Sequence, residues 1–315
     1  VIAGVIAGRN WLGYGACAMA GCLWGCGFFF GKLALREMGV GHMVLYRFLF
    51  AALGMLPVVW FGRGGQGGRR APWSRREIGV MLLSTALGIP IQFLLQFEGL
   101  AHTTVSHAAL MVGTMPVLLA LGATIFANER LDWIGWVALA GSTVGAGLIV
   151  LGGHDASASG ARPTLLGDML VVLSLVIALA WVLMNKSMME THSPLEVTAY
   201  SIFAGVVMLA GWVLAVDGLP PFRAVSLTAW LALAASGVLC TAATTLLWNW
   251  GIHHVPASRA GVFLNIEPAL GSILGVELLG DRLGPFAWIG GGLILAAAVT
   301  LTVRQEKASP EVLLE

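Results

Sequence analysis

Residues 104–151 read TVSHAALMVGTMPVLLALGATIFANERLDWIGWVALAGSTVGAGLIVL, and residues 256–303 read PASRAGVFLNIEPALGSILGVELLGDRLGPFAWIGGGLILAAAVTLTV. A shift of 152 residues lays the second over the first without a gap: Ser106, Ala108, Pro116, Leu118, Arg130, Leu131 and Trp136 meet Ser258, Ala260, Pro268, Leu270, Arg282, Leu283 and Trp288. The register continues backwards, where Ser84, Leu94, Leu95 and Gly99 meet Ser236, Leu246, Leu247 and Gly251. Each copy reads as an apolar helix carrying one proline, a short charged corner (Glu129-Arg130, Asp281-Arg282) and a second apolar helix. The chain is therefore an internal duplication.

Working outward, the composition sets the solvent. The 315 residues are 58% hydrophobic and only 10% charged, whereas soluble domains average about 25% charged. A net charge of +1 excludes polyanion binding by bulk charge, so no nucleic-acid partner is expected. Trp (12) outnumbers Tyr (3), which suits membrane interfaces and apolar cavities. Cys17, Cys22, Cys26 and Cys240 all fall in apolar runs; without His or carboxylate company they read as small packing residues rather than metal ligands. The first apolar run continues too far for a cleavable signal peptide. The sequence leaves open whether the residues before Trp11 are native.

A bilayer core about 30 Å thick requires about 20 apolar helical residues. Ten stretches meet this: 11–32, 42–61, 78–100, 105–127, 133–151, 166–186, 194–216, 227–252, 257–279 and 285–303. Ser193-Pro194-Leu195-Glu196 predicts a capped start for the seventh. The Gly-, Ala- and Ser-rich stretch 152–163 divides two five-span repeats, 11–152 and 164–303, leaving 304–315 as a tail. Lys and Arg fall 11 to one side and 5 to the other, with Arg47 inside a span, so both termini are expected in the cytoplasm. An odd number of spans per repeat inserts the second copy upside down, so an all-α membrane protein of ten helices in two inverted repeats is expected.

Ionisable groups at membrane depth are costly and usually face a cavity or a partner. Glu267 sits mid-span directly before Pro268, which frees a carbonyl one turn earlier, near Leu264. It reads either as a site for a substrate amine, a cation or a proton, or as a protonated carboxyl bonded to that loose backbone. Its duplicate is Met115, before Pro116, so one copy offers charge and the other a soft apolar wall, which favours an amphipathic solute. Arg47 and Glu98 fall at similar depth near the outer surface, where they read as a salt bridge or as a gate that breaks and reforms. Lys32, Asp168 and Glu277 near that surface are expected to snorkel.

Gln92 and Gln96 make an i, i+4 stripe on the third span, and Thr244 and Trp248 occupy the duplicate positions on the eighth, with Asn249 alongside. Such stripes either tie helices together, at about 0.6 kcal/mol per bond, or orient a solute. Lipid-anchoring Trp belongs at interfaces, so mid-span Trp24 and Trp181 are expected to turn inward, to pack or to stack on a ring or cation. Gly141, Gly145, Gly290, Gly291 and Gly292 are expected to let helices approach closely. His253-His254 would be the start of an intramembrane enzyme, but adjacent residues point to different helix faces, and no nucleophile elbow or zinc-type spacing accompanies them.

Trp24 with Phe28-Phe29-Phe30, Ala108-Ala109-Leu110 through Met115-Pro116, Glu129-Arg130-Leu131, Gly135-Trp136, Trp181, Ala260-Gly261, Glu267-Pro268, Asp281-Arg282-Leu283 and Trp288 through Gly292 resemble the EamA type of the drug/metabolite transporter superfamily, over roughly residues 16–303. The resemblance implies an inner-membrane exporter of small metabolites, amino acids or organic cations, with a central cavity formed by the first, third, fourth, sixth, eighth and ninth spans. Trp24, Trp181 and residues 115–116 are similar to YddG-type aromatic amino-acid exporters. The substrate-binding set is then Trp24, Phe28, Gln92, Gln96, Met115, Trp181, Trp248, Asn249 and Glu267, with Arg47 and Glu98 gating. No cofactor is implied, and without a nucleotide-binding loop this chain does not use ATP directly. Energy would come from the solute gradient or from proton exchange at Glu267. A fluxless receptor or scaffold is the remaining alternative, disfavoured by the lack of a sizeable soluble region to report a signal.

Overall fold

The computed structural model describes residues 2–62, 73–115, 117–118, 121–122, 133–152, 163–189, 191–219, 225–254 and 261–307. Among these, all regular structure is helical: α1 (Ile2–Ala34), α2 (Val40–Gly62), α3 (Arg75–Ala86), α4 (Gln92–Ala101), α5 (Val105–Val112), α6 (Trp133–Gly152), α7 (Leu165–Met189), α8 (Pro194–Val216), α9 (Leu227–Ala234), α10 (Thr244–His254), α11 (Ile266–Leu279) and α12 (Pro285–Lys307). Six helical stretches are long and apolar enough to cross a bilayer: Trp11–Ala34, Val40–Pro57, Arg75–Ala101, Leu165–Met189, Leu195–Val216 and Leu227–Gly251. Trp133–Ile149 and Pro285–Thr300 are shorter apolar helices. Pro116, the Glu129-Arg130 corner, residues 153–162, Pro220-Pro221 and the tail from 308 lie outside the described residues.

Helix starts are written locally. Ser193 accepts the Glu196 N–H at 3.2 Å with Pro194 at the first helical position, as its motif predicts. Ser74 and Glu77 close a complete capping box on α3, N–H to Oγ at 3.2 Å and N–H to Oε2 at 2.8 Å. Each cap satisfies orphan N–H groups that the first turn cannot pair. At the other end, Gly280 takes φ 70°, the left-handed conformation that closes α11 without Cβ strain.

The third and eighth spans are not plain α-helix. Leu87–Ile91 and Ala235–Ala243 wind as π-helix, and 87–91 shifted by 152 residues falls on 239–243. Pro90 accounts for the first by removing a donor from the ladder. The second has no proline; the Thr241 hydroxyl instead donates to the Ser236 carbonyl five residues back at 3.1 Å. The proline-bearing fourth and ninth spans break as well, which corrects the expectation of continuous helices. α5 ends at Val112, with a turn at Gly113–Thr114. Gly261–Asn265 is 3-10 helix, and α11 starts only at Ile266, two residues before Pro268.

The chain forms two compact units. One comprises residues 1–29, 102–169 and 244–315, the other 30–101 and 170–243. Large apolar side chains such as Val207, Trp212 and Leu231 stand exposed on the helices, an outward face suited to lipid.

Glycines sort by what they meet. A Cβ on Gly145 would come 2.6 Å from the Gly290 carbonyl, and Gly291 packs on Leu110, so these are close approaches as expected. Gly141 and Gly292 meet nothing within 4 Å, so they are not packing glycines within the described residues. In the second unit, a Cβ on Gly237 would collide with the Arg47 carbonyl and come within 2.6 Å of Phe50 Cβ. Gly237→Val is therefore expected to cost about 2–3 kcal/mol, because the clash is with backbone. Gly292→Val should leave the melting temperature in detergent unchanged. Equal melting of the two variants would contradict this packing.

Candidate functional site

In the first unit, α1 lies against the start of α11. Cys17, Gly21 and Gly25 share a face at i, i+4, i+8. Cys17 is fully buried among Tyr14, Trp248 and Phe263. A Cβ on Gly21 would collide with the Phe263 carbonyl. One on Gly25 would sit 3.0 Å from the Glu267 carbonyl and 3.1 Å from Leu270 Cβ. The backbones thus run together beside Glu267. Trp24, one residue from Gly25, faces Trp248 with ring centroids 5.4 Å apart and planes tilted 55°. Tyr14 and Phe263 form a second pair at 6.1 Å. Phe28 is buried, while Asn249 and Met115 are half-buried in the same unit.

Glu267 is not at mid-helix. It is the second residue of α11, after the 3-10 segment, and is half-buried. The N-terminal end of a helix carries the positive end of its dipole, where an anionic side chain is favoured. Proline is tolerated at Pro268 because N–H groups in the first turn have no intrahelical partner.

The second unit holds the glutamine stripe. Gln92 and Gln96 are both buried, at 7% exposure each, and Gln92 Oε1 has no hydrogen-bond partner. α3 and α7 run antiparallel here: the Ser84 hydroxyl donates to Asn185 Oδ1 at 2.7 Å, and one turn on, Gly88 lies flat against the Trp181 indole. Trp181 Nε1 is buried without a partner. Trp181 therefore turns inward, as its mid-span position implied.

Arg47 is also in the second unit, 6% exposed. Its Nε donates to the Thr241 hydroxyl at 3.2 Å, and its guanidinium lies 5.2 Å and 5.1 Å from the Phe93 and Phe97 ring centres. Such cation–π contacts reduce the cost of burying the charge. Glu98 is exposed. Lys32 is half-buried, its ammonium donating to the Leu100 carbonyl at 2.5 Å. Asp168 corrects the snorkelling expectation: it is 1% exposed and accepts from the Thr103 hydroxyl at 2.5 Å.

Sequence reasoning missed two polar anchors. Asp281, read as part of a charged corner, is buried and accepts both the Ser106 N–H at 2.9 Å and its Oγ–H at 3.0 Å. The clue was present, since both copies carry serine and an acid at these duplicate positions, Ser106 with Ser258 and Asp281 with Glu129. Asn185, the partner of Ser84, gave no periodic signal.

Glu37, in the turn after α1, is solvent-exposed, and its carboxylate takes the Ser226 Oγ–H and N–H, each at 2.6 Å. These bonds hold its pKa below the ordinary 4.5. The stabilisation is present above the unfolded-state pKa and is lost as pH falls through the depressed folded value. Melting in detergent should therefore decline on acidification below about pH 4.5 less in Glu37→Gln than in the parent. Identical profiles would show that this latch does not report on stability.

With this geometry in place, comparison with known proteins is informative. The EamA-like transporter family matches residues 11–151 and 165–303. The chain belongs to that family. A probable terminal-alkyne amino-acid exporter of Streptantibioticus cattleyicolor is 26% identical over 89% of this chain and 91% of its own. An uncharacterized transporter of Archaeoglobus fulgidus is 24% identical over 92% and 97%. The inner membrane protein YtfF of Escherichia coli is 23% identical over 93% and 95%. A solved crystal structure superposes with a TM-score of 0.63 at 18% identity, covering 96% of this chain and 99% of the other, a likeness of fold. This EamA-family chain is thus a multi-pass membrane protein related to transporters.

Proposed function

We propose that the chain is a secondary exporter of small amphipathic solutes bearing a cationic centre, amino acids foremost, working by alternating access of ten spans in two inverted repeats. The observation that carries this is the Trp24–Trp248 pair beside the seam where α1 meets Glu267 in the first turn of α11. A carboxylate binds an ammonium by charge-assisted hydrogen bonds, and aromatic faces accept either a ring or a cation. Phe28 and Met115 supply apolar wall and Asn249 a polar contact in that unit. Gln92, Gln96 and Trp181 are the candidates in the other unit, where an unpaired amide oxygen and indole N–H await a solute group. Arg47 and Glu98 remain the proposed gate. The amino-acid reading draws on the relative named a probable terminal-alkyne amino-acid exporter. Aromatic substrates are favoured by Trp24 and Trp248; organic cations are the second reading, favoured by the same rings and acid.

We place the chain in the inner membrane with both ends cytoplasmic, on the distribution of Lys and Arg. Counterflow in proteoliposomes with a panel of aliphatic amino acids, aromatic amino acids and quaternary ammonium compounds tests the function. Exchange of amino acids supports the first reading, and exchange of quaternary cations alone supports the second. No exchange of any panel member would sink both.

A further inference from the structure

His107 has no role in the reading above, yet it is the most enclosed ionisable side chain of its unit. It is 0% exposed on α5, and neither ring nitrogen has a hydrogen-bond partner. Its Nδ1 lies 3.6 Å from Asp168 Oδ2, and the Asp168 side chain is equally enclosed at 1%. A buried imidazole with both nitrogens unpaired is costly, and so is a buried carboxylate supported chiefly by a hydroxyl. One proton on the imidazole relieves both, because it turns the 3.6 Å approach into a charged hydrogen bond.

The surroundings make this corner structural as well as ionisable. Thr104 caps α5 by accepting the His107 N–H at 3.3 Å, and Thr103 donates to the other Asp168 oxygen. Thr164 caps α7 through the Gly167 N–H at 3.1 Å and passes its own N–H and hydroxyl hydrogen to the His102 carbonyl, at 3.0 Å and 2.8 Å. The chain leaves one compact unit for the other at 101/102 and again at 169/170. Both crossings thus adjoin this one hydrogen-bonded corner. Charged groups come from three elements: Asp168 on α7, Asp281 after α11 bonded to neighbouring Ser106, and His102 exposed at the rim. Glu277 and Arg282 are exposed. The rim at His102 and Thr164 gives the proton a short route from solvent.

We propose that His107 and Asp168 form a proton-binding site at the base of these two crossings, and that its occupancy sets how tightly residues 102–107 hold the start of α7. The proton comes from solvent and no covalent bond changes.

Hydrogen–deuterium exchange of the full chain in nanodiscs at pH 5 and pH 8, corrected for intrinsic rates, tests this. Peptides covering 99–112 and 163–170 should be several-fold better protected at pH 5 in the parent. That difference should vanish in Asp168→Asn and His107→Gln and persist in Asp168→Glu. A purely structural role would shift protection equally at both pH values. No pH difference in the parent, or an undiminished one in Asp168→Asn, would overturn the proposal. The parent and Asp168→Glu decide the matter if the other variants fail to fold. The readout needs no substrate, so failure here leaves the transport reading untouched.

Discussion

Glu267→Gln is expected to cut counterflow of amine-bearing solutes by about 30- to 100-fold, because a hydrogen bond between charged partners is worth about 2–3 kcal/mol where water is scarce and each 1.4 kcal/mol is a factor of ten. The amide keeps the shape of the side chain and its place in the first turn of α11, so folding should survive; the melting temperature is the control. Glu267→Asp should retain part of the flux, since charge is kept and only reach is lost. The measurement is initial counterflow rate in proteoliposomes of matched protein content. If every accepted solute exchanges at the parental rate in the amide variant, Glu267 has no part in recognition. Solutes lacking a cationic centre should be indifferent to the exchange, an internal comparison independent of expression level.

The second large effect concerns Asp281. Its carboxylate takes the backbone N–H of Ser106 and shares the Ser106 hydroxyl with the Ser272 carbonyl, at 3.0 Å and 3.1 Å. Removing it in Asp281→Ala strands a buried N–H and weakens the hold of α11 on α5. The expected loss is about 2–4 kcal/mol, read as a lower melting temperature in detergent. Ser106→Ala should cost only about 1 kcal/mol, because the backbone bond to Asp281 survives. A cost in Asp281→Ala no larger than in Ser106→Ala would show that the carboxylate does not anchor the junction. Gly275 explains the tightness: a Cβ there would lie 2.6 Å from the Asp281 carboxylate.

Much of the architecture could be read from pattern alone. Apolar runs of about 20 residues have one cheap conformation in lipid, since only a helix satisfies its own backbone there. The start of α8 at Pro194 and the inward turn of Trp181 follow from local chemistry. The winding of the third and eighth spans did not show, because a π turn is a choice of hydrogen-bond partner that Thr241 or Pro90 tips without altering hydropathy. Asp168 was misplaced for a related reason. Its sequence position near a span end fits a snorkelling group, and only the fold brings Thr103 and His107 to it. Trp248 was assigned to a polar stripe by spacing, whereas its partner Trp24 stands far away in sequence. Contacts between distant segments leave no periodic trace.

The wide turn at Leu87–Ile91 also carries a consequence for how this chain tolerates change. A π segment holds one residue more than the α ladder requires, so a single-codon deletion there could restore regular winding at no cost in hydropathy. Everything downstream would then rotate by about 100°, carrying Gln92 and Gln96 off the buried face. The third span is thus insensitive to many apolar replacements and fragile to the loss of one amino acid.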